Sequence, residues 1–228
     1  MQRQFRVLCA ALSLVVTTAF GVEGDPTAGQ QKALVCSACH GLDGNAATNP
    51  EWPILAGQHP QYLAKQLHNY RAGGKDPDGA DMVRMNAIMN GQAAGLSDQD
   101  IADLAAYFAS QETKRTKGAD PELVELGEAL YRGGDLSSGI PACTGCHSPN
   151  GMGNAGAVFP MLAGQHATYT ELQLKAFRSM QRANDPGRMM RNIAAKMSDR
   201  QIRAVASYIQ GLRPTAVDFK VRPQLTAR

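Results

Sequence analysis

The sequence predicts an all-α protein built from two tandem helical domains of related sequence. Three observations carry that prediction: the second half of the 228-residue chain repeats the first, apolar residues recur at helical spacing, and no stretch alternates convincingly with period two. WPILAGQHPQYLAKQL from Trp52 is matched by FPMLAGQHATYTELQL from Phe159, and an offset of 107 residues holds from His40 and His147 through Arg71 and Arg178. A second pair of blocks, LSDQDIADLAAYFAS from Leu96 and MSDRQIRAVASYIQG from Met197, is offset by 101. The six-residue difference falls in the loop from Gly73 to Asp81, whose Gly, Pro and Asp content suits a connection that tolerates insertion.

Each element follows from local signals. A helix should open the first half at about Pro26 and run toward Cys36. Its counterpart should run from Pro121 to about Arg132, with Asp120 capping a proline at the first helical position. His59-Pro60 opens a helix with Leu63, Leu67 and Tyr70 on one face, and Gly73 ends it. Ser97 caps the last helix of the first half, where Ile101, Leu104, Ala105 and Phe108 form an i, i+3, i+4, i+7 stripe; Ile202, Val205, Ala206 and Ile209 repeat it after Ser198.

Residues 1–20 read as a secretory signal: Arg3 and Arg6 precede an apolar stretch from Val7 to Phe20, with small residues at Thr17-Thr18-Ala19. That stretch is short of the roughly 20 residues a membrane span needs. The domains expected are therefore 21–115 and 116–213, joined near Gln111 to Asp120, with a tail over 214–228. The formal charge of +3 is too small, and basic residues too scattered, for a nucleic-acid binder. It hides an asymmetry: residues 20–118 hold 8 basic and 11 acidic side chains, residues 119–228 hold 13 and 9. A protein with such a dipole can orient itself toward partners of opposite sign, and an ordinary solvated surface would carry the same charges.

Cys9 leaves with the signal, so four cysteines remain, as CSACH at Cys36 to His40 and CTGCH at Cys143 to His147. A zinc site would have to close across 107 residues, far beyond the 12 to 20 usual between paired knuckles. A thioredoxin-like pair would occur once and would not need the trailing histidine. Structural disulfides are compatible with export but leave the histidines unexplained. Covalent haem attachment uses every element, two thiols for thioethers and an imidazole for iron, so Cys36, Cys39, Cys143 and Cys146 should tether two haem c groups bound by His40 and His147. Domains this small should depend on the haem to complete their cores.

The sixth iron ligand separates electron transfer from oxygen or peroxide chemistry. Counting back from Ser97 and Ser198, methionine recurs eight residues away only as Met89 and Met190. Counting forward from the histidines instead pairs Met82 with Met189, but that count crosses the variable loop. His59 and His166 also recur, and their position at the start of a helix is better read as a polar helix-initiating role. His68 has Lys175 as its counterpart and reads as a solvated surface residue.

The paired CSACHG and PACTGCHSPNG segments, the two LAGQH stretches, the AAYF and ASYIQG endings and the Met-to-Ser-Asp spacing together resemble the cytochrome c4 family, dihaem proteins of two class I cytochrome c domains. The likeness covers about Asp25 to Leu212. It implies two cytochrome c-like domains, iron ligated by His40 with Met89 and by His147 with Met190, and Pro53 and Pro160 beside the histidines with a carbonyl accepting the imidazole N–H. It also implies an electron carrier rather than an enzyme. That carrier would be periplasmic, in places loosely held at the inner membrane, and would run from a quinol-oxidising complex toward a haem-copper terminal oxidase in a respiratory chain. The same module could serve as the electron-transfer subunit of a sulfide, thiosulfate or alcohol dehydrogenase, or, with one open iron, as a dihaem peroxidase.

Overall fold

A computed structural model describes residues 23–45, 49–73, 84–114 and 118–213. The signal segment, Met82, most of the Gly73 to Asp81 loop and the tail lie outside the described residues. Among the described residues ten α-helices run in chain order: α1 Pro26–Lys32, α2 Ser37–His40, α3 Pro60–Arg71, α4 Ala87–Ala93, α5 Asp98–Ser110, α6 Val124–Gly133, α7 Thr144–His147, α8 Ala167–Arg178, α9 Met189–Ala194 and α10 Asp199–Gly211. Among the described residues there is no strand, only three isolated bridges.

The halves repeat one packing scheme. In the first, α5 is flanked by α1 and α3, with α4 against α3; in the second, α10 is flanked by α6 and α8, with α9 against α8. The long helices begin where their caps predict. Ser97 and Asp100 form a capping box at α5, and Ser198 and Gln201 form one at α10, each satisfying end N–H groups. Glycine lets the opening helix lie directly on the last one. A Cβ at Gly29 would stand 2.7 Å from Tyr107 Cβ, and one at Gly127 would stand 2.7 Å from Tyr208 Cβ.

The opening helices differ from expectation. α1 stops at Lys32, and Ala33–Val35 continue as a tighter 3₁₀ turn into Cys36. α6 starts at Val124 rather than Pro121. Asp120 does accept from Glu122 N at 2.9 Å, but its own N–H is held by Ser207 Oγ at 2.7 Å and the chain first closes a turn from Leu123 N to Asp120 O. Between opening helix and cysteine motif the second domain is also longer. Gly29 and Gly127 are 98 apart in the chain whereas Cys36 and Cys143 are 107 apart, so nine more residues stand here. They make a turn closed by Asp135 and Ile140, and it carries the 93% exposed Leu136.

Each domain has its own apolar cluster. The second is the larger and is built on Tyr131, Ile140, Ile202, Val205 and Ile209; the first rests on Leu63, Leu104, Ala105, Tyr107 and Phe108. On α3, Leu63 and Tyr70 are buried as expected, but Gln66 is buried beside them while Leu67 is only half covered. The reason is the neighbouring domain: Gln66 Oε1 accepts from Asn184 Nδ2 at 3.0 Å.

Candidate haem sites

Both cysteine motifs form a single helical turn, α2 and α7, and this puts the i and i+3 thiols on one face with the histidine at the end. The turn must then stop abruptly. Gly41 does so at φ 74°, ψ 159°, and Ser148 adopts nearly the same backbone at φ 65°, ψ 159°, a region that strains any residue with a Cβ. Among the described residues Cys36, Cys39, Cys143 and Cys146 form no disulfide with one another. Burial raises the Cys36 thiol above its usual range and the Cys143 thiol to about 11. Among the described residues no three His, Cys, Asp or Glu side chains gather to hold a metal ion, so the cysteine pairs do not converge as a zinc site requires.

The two histidines are buried and identically held. His40 Nδ1 lies 3.0 Å from Pro53 O, and His147 Nδ1 lies 3.0 Å from Pro160 O. A carbonyl only accepts, so Nδ1 carries the proton and Nε2 keeps its lone pair. Burial lowers both imidazole pKa values, which keeps the rings neutral. Met89 is half-buried in the first turn of α4, where Asn86 Oδ1 accepts its N–H at 3.0 Å. Met190 is half-buried in α9 and packs against the second core, while Met189 beside it is exposed.

These donors suit a haem. Neutral imidazole, thioether sulfur and paired free thiols are the groups it needs, and large apolar side chains lie exposed around them. Leu34 and Val35 precede Cys36, Leu42 follows His40, and Met85 and Ile88 flank Met89; Leu34 is 63% and Ile88 60% exposed. So much open apolar surface beside so small a core is what a flat apolar cofactor would cover.

The residues that sequence reasoning missed lie between the domains. Gln58 Nε2 donates to Met161 O and Gln58 Oε1 accepts from Met161 N, both at 2.9 Å. Gln165 grips Ile54 identically, with Nε2 to Ile54 O and Ile54 N to Oε1 at 2.9 Å. The shared LAGQH stretch was the available signal, but nothing in it says that the glutamine reaches across. The histidine of that stretch does not cap its helix: neither His59 nor His166 makes a side-chain cap bond. His59 Nε2 instead lies 2.8 Å from Met152 O in the other domain, and His166 Nε2 is buried without a hydrogen-bond partner. His68 is half-exposed and within 3.1 Å of Arg71 Nη2.

Two buried arginines complete the interface. Arg84 and Arg182 pair through an antiparallel backbone bridge and share one acceptor, Gln173 Oε1, at 2.7 and 2.9 Å. Arg182 also donates to Tyr62 OH at 2.9 Å, and Arg84 stacks over the Tyr70 ring. Burial pushes the Tyr70 phenol up to about 12.

Comparison with known proteins bears on this arrangement. The cytochrome c family profile matches twice, over residues 27–112 and 124–213, one match to each half. A cytochrome c4 of Azotobacter vinelandii is 55% identical over 205 residues, covering 88% of this chain and 95% of that one. This chain belongs to the cytochrome c4 family. The crystal structure of reduced recombinant cytochrome c4 from Pseudomonas stutzeri is 52% identical with a TM-score of 0.78, and the match covers 83% of this chain and all of that one. The thiosulfate dehydrogenase electron acceptor of Thiomonas intermedia is 38% identical, over 81% of this chain and 82% of its own length. As a member of the cytochrome c4 family the protein is an electron carrier, not an enzyme, with two cytochrome c domains and two covalently bound haem c groups. It works with redox partner proteins.

Proposed function

We propose that Cys36 and Cys39 tether the haem of the first domain, residues 21–115, and Cys143 and Cys146 that of the second, residues 116–213. His40 with Met89 and His147 with Met190 are the iron ligands. The observation that carries this is the repeated pairing of a buried, neutral histidine with a proline carbonyl, Pro53 O and Pro160 O, which aims an unprotonated Nε2 into each site. A haem iron with histidine and thioether ligands passes one electron at a relatively high potential. The chain's own part is to keep each ring in one tautomer, exclude water with its apolar rim, and leave no ligand position open.

The carrier acts in the periplasm after export by the signal at 1–20, and runs from a quinol-oxidising complex toward a haem-copper terminal oxidase. No helix among the described residues is long and apolar enough to cross a membrane. A second reading, acceptor for a thiosulfate dehydrogenase, is favoured by the relative of that name.

The test is the charge-transfer band between thioether sulfur and ferric iron in the oxidised protein. Met89→Ala and Met190→Ala should each remove about half of it and open one iron to carbon monoxide after reduction. A full band in either variant refutes that assignment.

A further inference from the structure

Each proximal histidine is the start of a hydrogen-bond chain that ends in the other domain. The peptide unit joining Pro53 to Ile54 accepts from His40 Nδ1 at its carbonyl, 3.0 Å, and donates from its N–H to Gln165 Oε1, 2.9 Å. The unit joining Pro160 to Met161 accepts from His147 Nδ1 at 3.0 Å and donates to Gln58 Oε1 at 2.9 Å. Gln165 belongs to the second domain and Gln58 to the first, so the connections cross.

The glutamines are fixed for this task. Each Oε1 also accepts the N–H of the next residue, His59 or His166, at 3.0 Å, which with the Nε2 donation sets which end of the amide faces which group. Ile54, Gln58 and Met161 are at most 6% exposed and Gln165 is half-buried, so the Gln58 bonds are shut off from water and the Gln165 bonds are partly so. An amide whose N–H is engaged by an acceptor becomes a better acceptor at its carbonyl, since chains of hydrogen bonds polarise one another by roughly 10–30% per bond. A stronger carbonyl draws the Nδ1 proton, makes the imidazole a more electron-rich ligand, and favours ferric iron.

We infer that Gln165 is a positioning residue for the iron-binding histidine of the first domain, His40, and Gln58 for that of the second, His147. The inference rests on the reading of those histidines as ligands. Its signature is crossed: a change in one domain alters the haem of the other.

The experiment is a spectroelectrochemical titration of the holoprotein, with the haem methyl NMR resonances of each domain followed separately. Gln165→Leu should raise the potential of the haem held by Cys36 and Cys39 and leave the other within error. Gln58→Leu should do the reverse. The expected change is about threefold in the ferric-to-ferrous ratio at fixed potential, about 28 mV at 59 mV per tenfold for one electron. Gln165→Glu keeps an acceptor toward Ile54 N–H, a stronger one when ionised, and should lower the same haem's potential; it serves if a leucine variant does not assemble. Equal shifts in both haems, a shift confined to the mutated domain, or no shift would overturn the inference. Absence of the histidine and methionine ligation spectrum in the unmutated protein would instead remove the ligand reading on which it stands.

Discussion

Replacing Gly29 by alanine puts two effects of opposite sign in competition. Alanine is the better helix former by about 1 kcal/mol, so propensity alone predicts stabilisation of α1. A Cβ at that position would lie 2.6 Å from the carbonyl carbon of Asp103 and 2.7 Å from Tyr107 Cβ, with the Asp103 carbonyl oxygen nearer still. Ordinary contact begins at 3.4 Å, so α1 must lift from α5 by roughly 1 Å. The same interface carries the bond from Asp25 N to Asp103 Oδ1, 2.8 Å long, which such a displacement breaks. Overpacking costs about 1–3 kcal/mol and the lost bond about 1; set against the propensity gain of about 1, the net change is a destabilisation of about 1–3 kcal/mol. Guanidinium unfolding of the holoprotein, followed by circular dichroism and by the Soret band, should show the first domain melting earlier while the second holds. A Gly29→Ala protein as stable as its parent, or more stable, would refute the claim that the bare backbone is what lets these helices meet.

Acid should weaken the fold through a defined set of groups. Hydrogen bonding to Lys32 holds Asp103 below the ordinary carboxylate range, and Arg71 and Arg178 do the same for Asp98 and Asp199. A carboxyl with a depressed folded-state pKa stabilises fully above its unfolded value of 3.8 and loses that contribution as pH falls further. Thermal midpoints should therefore drop below about pH 4, and less steeply in Asp103→Asn; parallel curves would contradict this. Transfer rates to donor and acceptor should fall with ionic strength, because the halves differ in charge. Stopped-flow rates insensitive to salt with both partners would remove the docking argument.

What the sequence revealed was local or repetitive. The caps at Ser97 and Ser198, the helix opened by Pro60, and the duplicated cysteine motifs each depend on residues within a few positions of one another. The count that singles out Met89 and Met190 runs back from a cap and so avoids the variable loop from Gly73 to Asp81. What escaped were contacts between the halves. Gln58 to Met161 and Gln165 to Ile54 span 103 and 111 residues, and no periodicity records such a pairing. His59 looked like a helix-starting polar residue because its place in the chain is that of one, yet its ring is used at the interface. Arg84 and Arg182 carry charge, and charge in sequence reads as surface; only the packing of two domains buries them.

The reciprocal grip of the glutamines also speaks to ancestry. In a symmetric dimer of identical subunits, residue i of one touches j of the other and j touches i. Gln58 with Met161 and Gln165 with Ile54 obey that rule within one polypeptide, at the repeat's own offset of 107. The protein is thus organised as a homodimer whose subunits share a backbone. Fusion frees the two halves to evolve separately wherever they do not touch, which a true homodimer cannot do. One half could turn acidic and the other basic, while the glutamine contacts of the seam stayed bound by symmetry.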